Sequence, residues 1–77
     1  MFAIDHDKDN DVLYIGIGDR SNSYGDEEEE GIILLRDIDT EELTGVTILD
    51  FLYRYKHKQL DCIPFPINFE RDVIPQL

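Results

Sequence analysis

Seventy-seven residues with a single cysteine, eighteen acidic and seven basic side chains, and a net charge of −11 define one small domain. No intramolecular disulfide can staple it, and it lacks the Cys/His framework of a structural zinc site. The acidic excess disfavours direct nucleic-acid binding, which needs a basic surface to displace counterions from phosphates. A chain of this size hides only about 60% of the surface its unfolded form exposes, and its core supplies roughly 3–5 kcal/mol. Oligomerisation is the remaining common remedy, so a homodimer is expected.

The charge is uneven: residues 1–50 carry fifteen acidic and three basic side chains, residues 51–77 three and four. Arg54, Lys56 and Lys58 form the one basic cluster. Neither a basic, apolar leader at Met1 to Ile4 nor an apolar run of the ~18 residues that span a bilayer is present. A soluble cytoplasmic protein is the expectation.

In chain order, Phe2 to Asp5 reads as a first strand, followed by the turn formers Asp7-Lys8-Asp9-Asn10, with Asn10 suited to positive φ at a hairpin reversal. Val12 to Ile17 alternates, so Leu13, Ile15 and Ile17 share a core-facing side while Val12, Tyr14 and Gly16 make an opposite face that is only partly polar. Asp19 to Asp26 has no period, and Glu27 to Glu30 repel one another; this stretch reads as a loop or a ragged edge strand.

Ile32-Ile33-Leu34-Leu35 is apolar on both faces, the mark of a central strand. Asp39 to Glu42 makes a turn, and Thr44 to Leu49 forms a further strand apolar on both sides. One cover is available within the chain; the second must come from the C-terminal segment or another subunit. From about Phe51 to Gln59 the spacing of Phe51, Leu52, Tyr55 and Leu60 favours a short helix with Asp50 as N-cap, although Phe51, Tyr53 and Tyr55 also alternate as a strand would. Pro64 and Pro66 keep the tail extended, with Ile63, Phe65, Ile67 and Phe69 on one apolar side that packs in its own subunit or on a neighbour.

The pattern Asp7-x-x-x-Asp11-x-Leu13-Tyr14-Ile15, then Gly31-Ile32-Ile33, then Thr44-Gly45-Val46-x-Ile48-Leu49-Asp50 resembles the small bacterial family known as domain of unknown function 2283. The likeness covers about residues 2–50. It implies an antiparallel sheet without an established activity, and an antitoxin-like role by association. The four-Glu run and the Pro-containing tail depart from it.

Four constellations are candidates for function. Asp5, Asp7, Asp9 and Asp11 stand at the alternate spacing of a calcium loop, but Asn10 replaces the sharp-turn glycine and Gly16 the closing bidentate glutamate. Glu27 to Glu30 suit a cation or a basic peptide, or simply guard an edge against aggregation. His57, Asp61 and Cys62 contain the residue types of a nucleophile, base and orienter without a glycine-rich turn to supply oxyanion donors. Tyr14, Tyr24, Tyr53 and Tyr55 offer aromatic surface to a partner or to the fold's own seams.

The expected fold is therefore α+β and mostly β: a single domain over residues 1–77, with a four-stranded antiparallel meander of two hairpins in residues 1–50, then a short helix and an extended C-terminal arm. The expected function is a non-enzymatic protein-interaction module, antitoxin-like in binding a basic partner. The alternative is a divalent-metal binder using the Asp5–Asp11 loop. No catalytic, cofactor or metal residue is assigned.

Overall fold

The computed structural model describes residues 2–18, 21–60, 63 and 67–77. Five strands form one antiparallel sheet: β1 (Phe2–Asp7), β2 (Val12–Ile17), β3 (Ser23–Glu29), β4 (Ile32–Asp37) and β5 (Leu43–Leu49), in the spatial order β1-β2-β5-β4-β3. Two features correct the expected four-stranded meander. The acidic stretch is a fifth strand, the edge strand β3; its residues carry no apolar period because neither of its faces lies over the core. The chain also does not step from neighbour to neighbour, since β5 inserts between β2 and β4 and pairs with both.

The insertion makes β4 and β5 interior strands, each flanked on both edges. On one face, the registers align Leu13 with Ile48 and Ile32, and Ile15 with Val46 and Leu34. These six side chains are buried, and Phe51, Leu60 and Val73 complete the core beneath them. Burying a side chain of this kind contributes about 1.5–3 kcal/mol.

The cover is supplied by this chain. Helix α1 (Phe51–Lys56) places Phe51 in the core, where it meets Tyr55 and Phe69 at ring-centroid distances of 6.0 and 5.8 Å. The helix stops three residues short of the expected Gln59. Lys58 adopts φ 55, and the Gln59 and Lys58 amides donate to the carbonyls of Arg54 (2.9 Å) and Tyr55 (3.2 Å), a Schellman closure. From Phe69, the last residue of the stretch expected to run extended, the C-terminal arm instead coils into a π-type turn (Phe69–Val73) and a 3₁₀ turn (Ile74–Gln76). Asn68 starts the first: its side chain accepts from the Arg71 amide at 3.0 Å, and its own amide donates to Asp72 at 3.2 Å. Ile63, Ile67, Phe69 and Ile74 pack against the core of the same chain. Pro64, Phe65 and Pro66, on which the extended reading turned, lie outside the described residues. Among the described residues no helix is long and apolar enough to cross a membrane.

Two glycine-related substitutions test this account in opposite directions. A Cβ on Gly45 would run into the Ile15 carbonyl and stand 3.1 Å from Leu35, so Gly45→Ala should cost about 1–3 kcal/mol. Lys58 already sits in the left-handed region that glycine favours, so Lys58→Gly should gain about 0.5–1 kcal/mol. Urea denaturation reads both: the midpoint falls for the first and rises for the second.

Candidate functional site

The Asp-rich turn between β1 and β2 is built by its own carboxylates. Asp7 Oδ1 accepts from the amides of Asp9 (3.1 Å) and Asn10 (3.3 Å), and Asp7 Oδ2 accepts from the Asn10 side-chain amide at 3.0 Å. The Asn10 side-chain bond is the largest cause holding the Asp7 carboxyl below its ordinary value of 3.8. The positive φ expected at Asn10 falls instead on Asp11, at 54°. Asn10 is tethered to Asp7, and the left-handed turn at Asp11 carries its carboxylate to the head of α1.

There Asp11 does the work expected of Asp50. Its Oδ2 and Oδ1 accept from the Leu52 amide at 3.0 and 3.2 Å, and its carbonyl accepts from the Phe51 amide at 3.0 Å. Asp50 occupies the N-cap position with φ 53 and makes no side-chain cap bond. Asp11 Oδ1 also lies 2.9 Å from His6 Nε2. The His6 ring is nearly buried and stands edge-on to Phe51 at 6.0 Å, and its Nδ1 is buried with no partner. The calcium-like spacing therefore does not produce a converging ligand set: Asp7 closes its own turn, Asp11 caps a helix, and among the described residues no three His, Cys, Asp or Glu groups are gathered for a metal.

The other constellations are dispersed. Glu27 Oε2 accepts from the Gly31 amide at 3.2 Å, and the strand register shifts between Glu27 and Glu29, so the four glutamates do not stand as a simple alternating row. Arg54, the head of the basic cluster, donates Nε to the Leu49 carbonyl and Nη2 to the Glu30 carbonyl, both at 2.8 Å, and fills the space over Gly31, where a Cβ would collide with it. It pins α1 to the β3–β4 turn and the end of β5. His57 stacks on Tyr53 at 4.1 Å, with Nδ1 2.8 Å from the Tyr53 carbonyl; Asp61 and Cys62 lie outside the described residues. Tyr24 donates to Glu41 at 2.9 Å, a bond that pushes its phenol up. Burial, then the nearby Glu70, raises that of Tyr55.

What remains is the sheet face opposite the core. Val12, Tyr14, Ile33, Leu35, Thr47 and Leu49 lie on it, with Tyr14 42% and Leu49 37% exposed. Asp5 and Asp7 stand on the same face along β1, and Glu27 along β3. Among the strand residues of this face there is no Lys or Arg. The period-two alternation of β2 already pointed to a partly apolar second face; the acidic edges were hidden because β3 has no apolar period of its own. His6 is missed when the first strand is read as ending at Asp5; continuing the alternation of Ile4 by one residue pair puts it on the core side. Its coupling to a helix more than forty residues away leaves no mark in local spacing.

Comparison with family models, characterised proteins and solved structures finds no match. The resemblance drawn above thus rests on its motif residues alone.

Asp11→Ala should lose about 1–2 kcal/mol of stability for the helix cap, and more because His6 Nε2 is left unpartnered. Asp11→Asn, which keeps an acceptor, should lose less; urea midpoints of the two variants check the order. Asp7, Asp37 and Asp72 all sit below their ordinary 3.8, through bonds from Asn10, the Thr40 amide and Arg71 respectively. Because these carboxyls are lowered in the fold, their contribution is complete above the unfolded value and is lost as pH falls through the folded one. Stability should therefore drop below about pH 4, and Asp37→Asn should flatten that acid limb in a thermal-melt series.

Proposed function

We propose that this chain is a non-enzymatic protein-interaction module that engages a basic protein partner. The observation that carries the reading is the open sheet face, with an apolar centre and carboxylates along both edges. Apolar surface that a small domain leaves uncovered in this way marks an interaction site more often than ordinary surface, and a net charge of −11 steers a basic protein towards it. Among the described residues, Asp11 and His6 are engaged at the head of α1, and His57 against Tyr53. An antitoxin-like role, the masking of a small basic protein, is the form of this reading that the family resemblance suggests by association.

The test is an affinity purification from the native host at low salt, run in parallel on the wild type and on Tyr14→Asp/Leu49→Asp. A basic protein retained by the wild type, released as salt rises and not retained by the variant is the expected outcome. Recovery of the chain without any partner, or equal retention by the variant, would overturn it.

A further inference from the structure

We infer that the open face docks a partner segment whose apolar stripe is bracketed by lysine or arginine on both sides, the two cations standing about 19 Å apart. This deepens the interaction-module reading and rests on it. The pairing registers arrange the face in cross-strand rows. One row is a shallow floor of Ala3, Gly16, Gly45, Leu35 and Gly25; the next is a ridge of Asp5, Tyr14, Thr47, Ile33 and Glu27. The ridge thus begins and ends in a carboxylate and is aromatic or aliphatic between them, apart from Thr47.

The spacing follows from the topology. β1 and β3 are the two edges of a five-stranded sheet, four strand separations apart, which gives about 19 Å between the acidic ends. A helix lying across the ridge covers that span in about 13 residues, and an extended segment in about 6. Glu27 is held in place by the Gly31 amide at 3.2 Å, while Asp5 is exposed at the opposite edge.

Charge also selects against a second copy of this chain. Both edges of the face carry carboxylates and its strand residues carry no cation. Face-to-face pairing of two copies therefore sets acidic edge against acidic edge in either orientation, and like charges brought together across an interface suppress that partner. A basic segment meets the same face with its charges matched at both ends.

The experiment is a display selection of randomised 20-residue segments against the full chain, with sedimentation of the chain alone at low and high salt. Enriched segments should carry an apolar stripe with Lys or Arg on both sides at the spacing above. Their affinity should fall at least tenfold on Tyr14→Asp. It should fall about tenfold on Asp5→Asn/Glu27→Gln, a pair of exposed, near-isosteric changes that keep an acceptor for Gly31 and leave the fold intact, and that pair should also lose most of its salt dependence. Enriched segments without paired cations, or with binding indifferent to the Asp5/Glu27 pair, would overturn the inference. Basic segments that bind equally well to Tyr14→Asp would move the docking surface elsewhere while leaving the module reading standing. A stable dimer abolished by Tyr14→Asp would give the face to a second copy and sink the inference. No enriched segment together with a single monomeric species would sink both readings.

Discussion

A sheet of five strands has two faces, and the described residues that follow β5 lie against one of them. Leu13, Ile15, Ile32, Leu34, Val46 and Ile48 meet on one side of β2, β5 and β4, and Phe51, Leu60 and Val73, with Tyr55, Ile63, Ile67, Phe69 and Ile74 packed against them, keep water from them. The helix, the turns that follow it and Val73 are all committed to that side. The opposite side is left with Tyr14, Leu49 and their half-buried neighbours. The open face is thus the complement of the core, and carboxylates stand along both of its edges.

Covering a sheet with so short a helix demands fixed joints, because six residues of helix have little stability of their own. Two joints supply it. At the head of α1, Asp11 reaches from the β1–β2 turn to the Leu52 amide, and His6 holds the carboxylate from the other side. One turn later, Arg54 grips the Leu49 and Glu30 carbonyls from beneath Gly31. The helix is therefore bolted to the tips of two different hairpins. Its N-terminal dipole favours the Asp11 carboxylate, while the partnerless Nδ1 of His6 is the cost of burying an imidazole to orient it.

The parts of this arrangement that were legible in the sequence are those governed by local period. Leu13/Ile15 and Val46/Ile48 alternate, Ile32 to Leu35 is apolar on both faces, and β2, β4 and β5 follow. β3 was ambiguous because Tyr24, Gly25 and the acidic residues owe their extended form to pairing with β4, which acts at a distance in sequence. The strand order was hidden for the same reason: two-sided apolarity marks β5 as interior without saying whose neighbour it is. The helix announced itself through Phe51 and Tyr55, but its end did not, since Lys58 gives no sign that it will turn left-handed where a glycine would have. At the candidate site the carboxylates were visible and their duties were not. Asp7 and Asp11 have the spacing of metal ligands and the bonds of a turn and a cap.

The central place of β5 has a consequence for synthesis. It is the last strand to leave the ribosome, yet it supplies the ladder partners for both β2 and β4. Until Leu49 has emerged, the β1–β2 and β3–β4 hairpins are two separate ribbons, each with an apolar face and an unfinished edge, and an isolated hairpin is marginal at best in water. The nascent chain therefore gains almost nothing from partial folding. The sheet is complete only when β5 pairs with both ribbons, and α1 follows directly behind it in the chain. Like charges of the kind that dominate the first fifty positions oppose association of such unfinished ribbons with other chains until the central strand arrives.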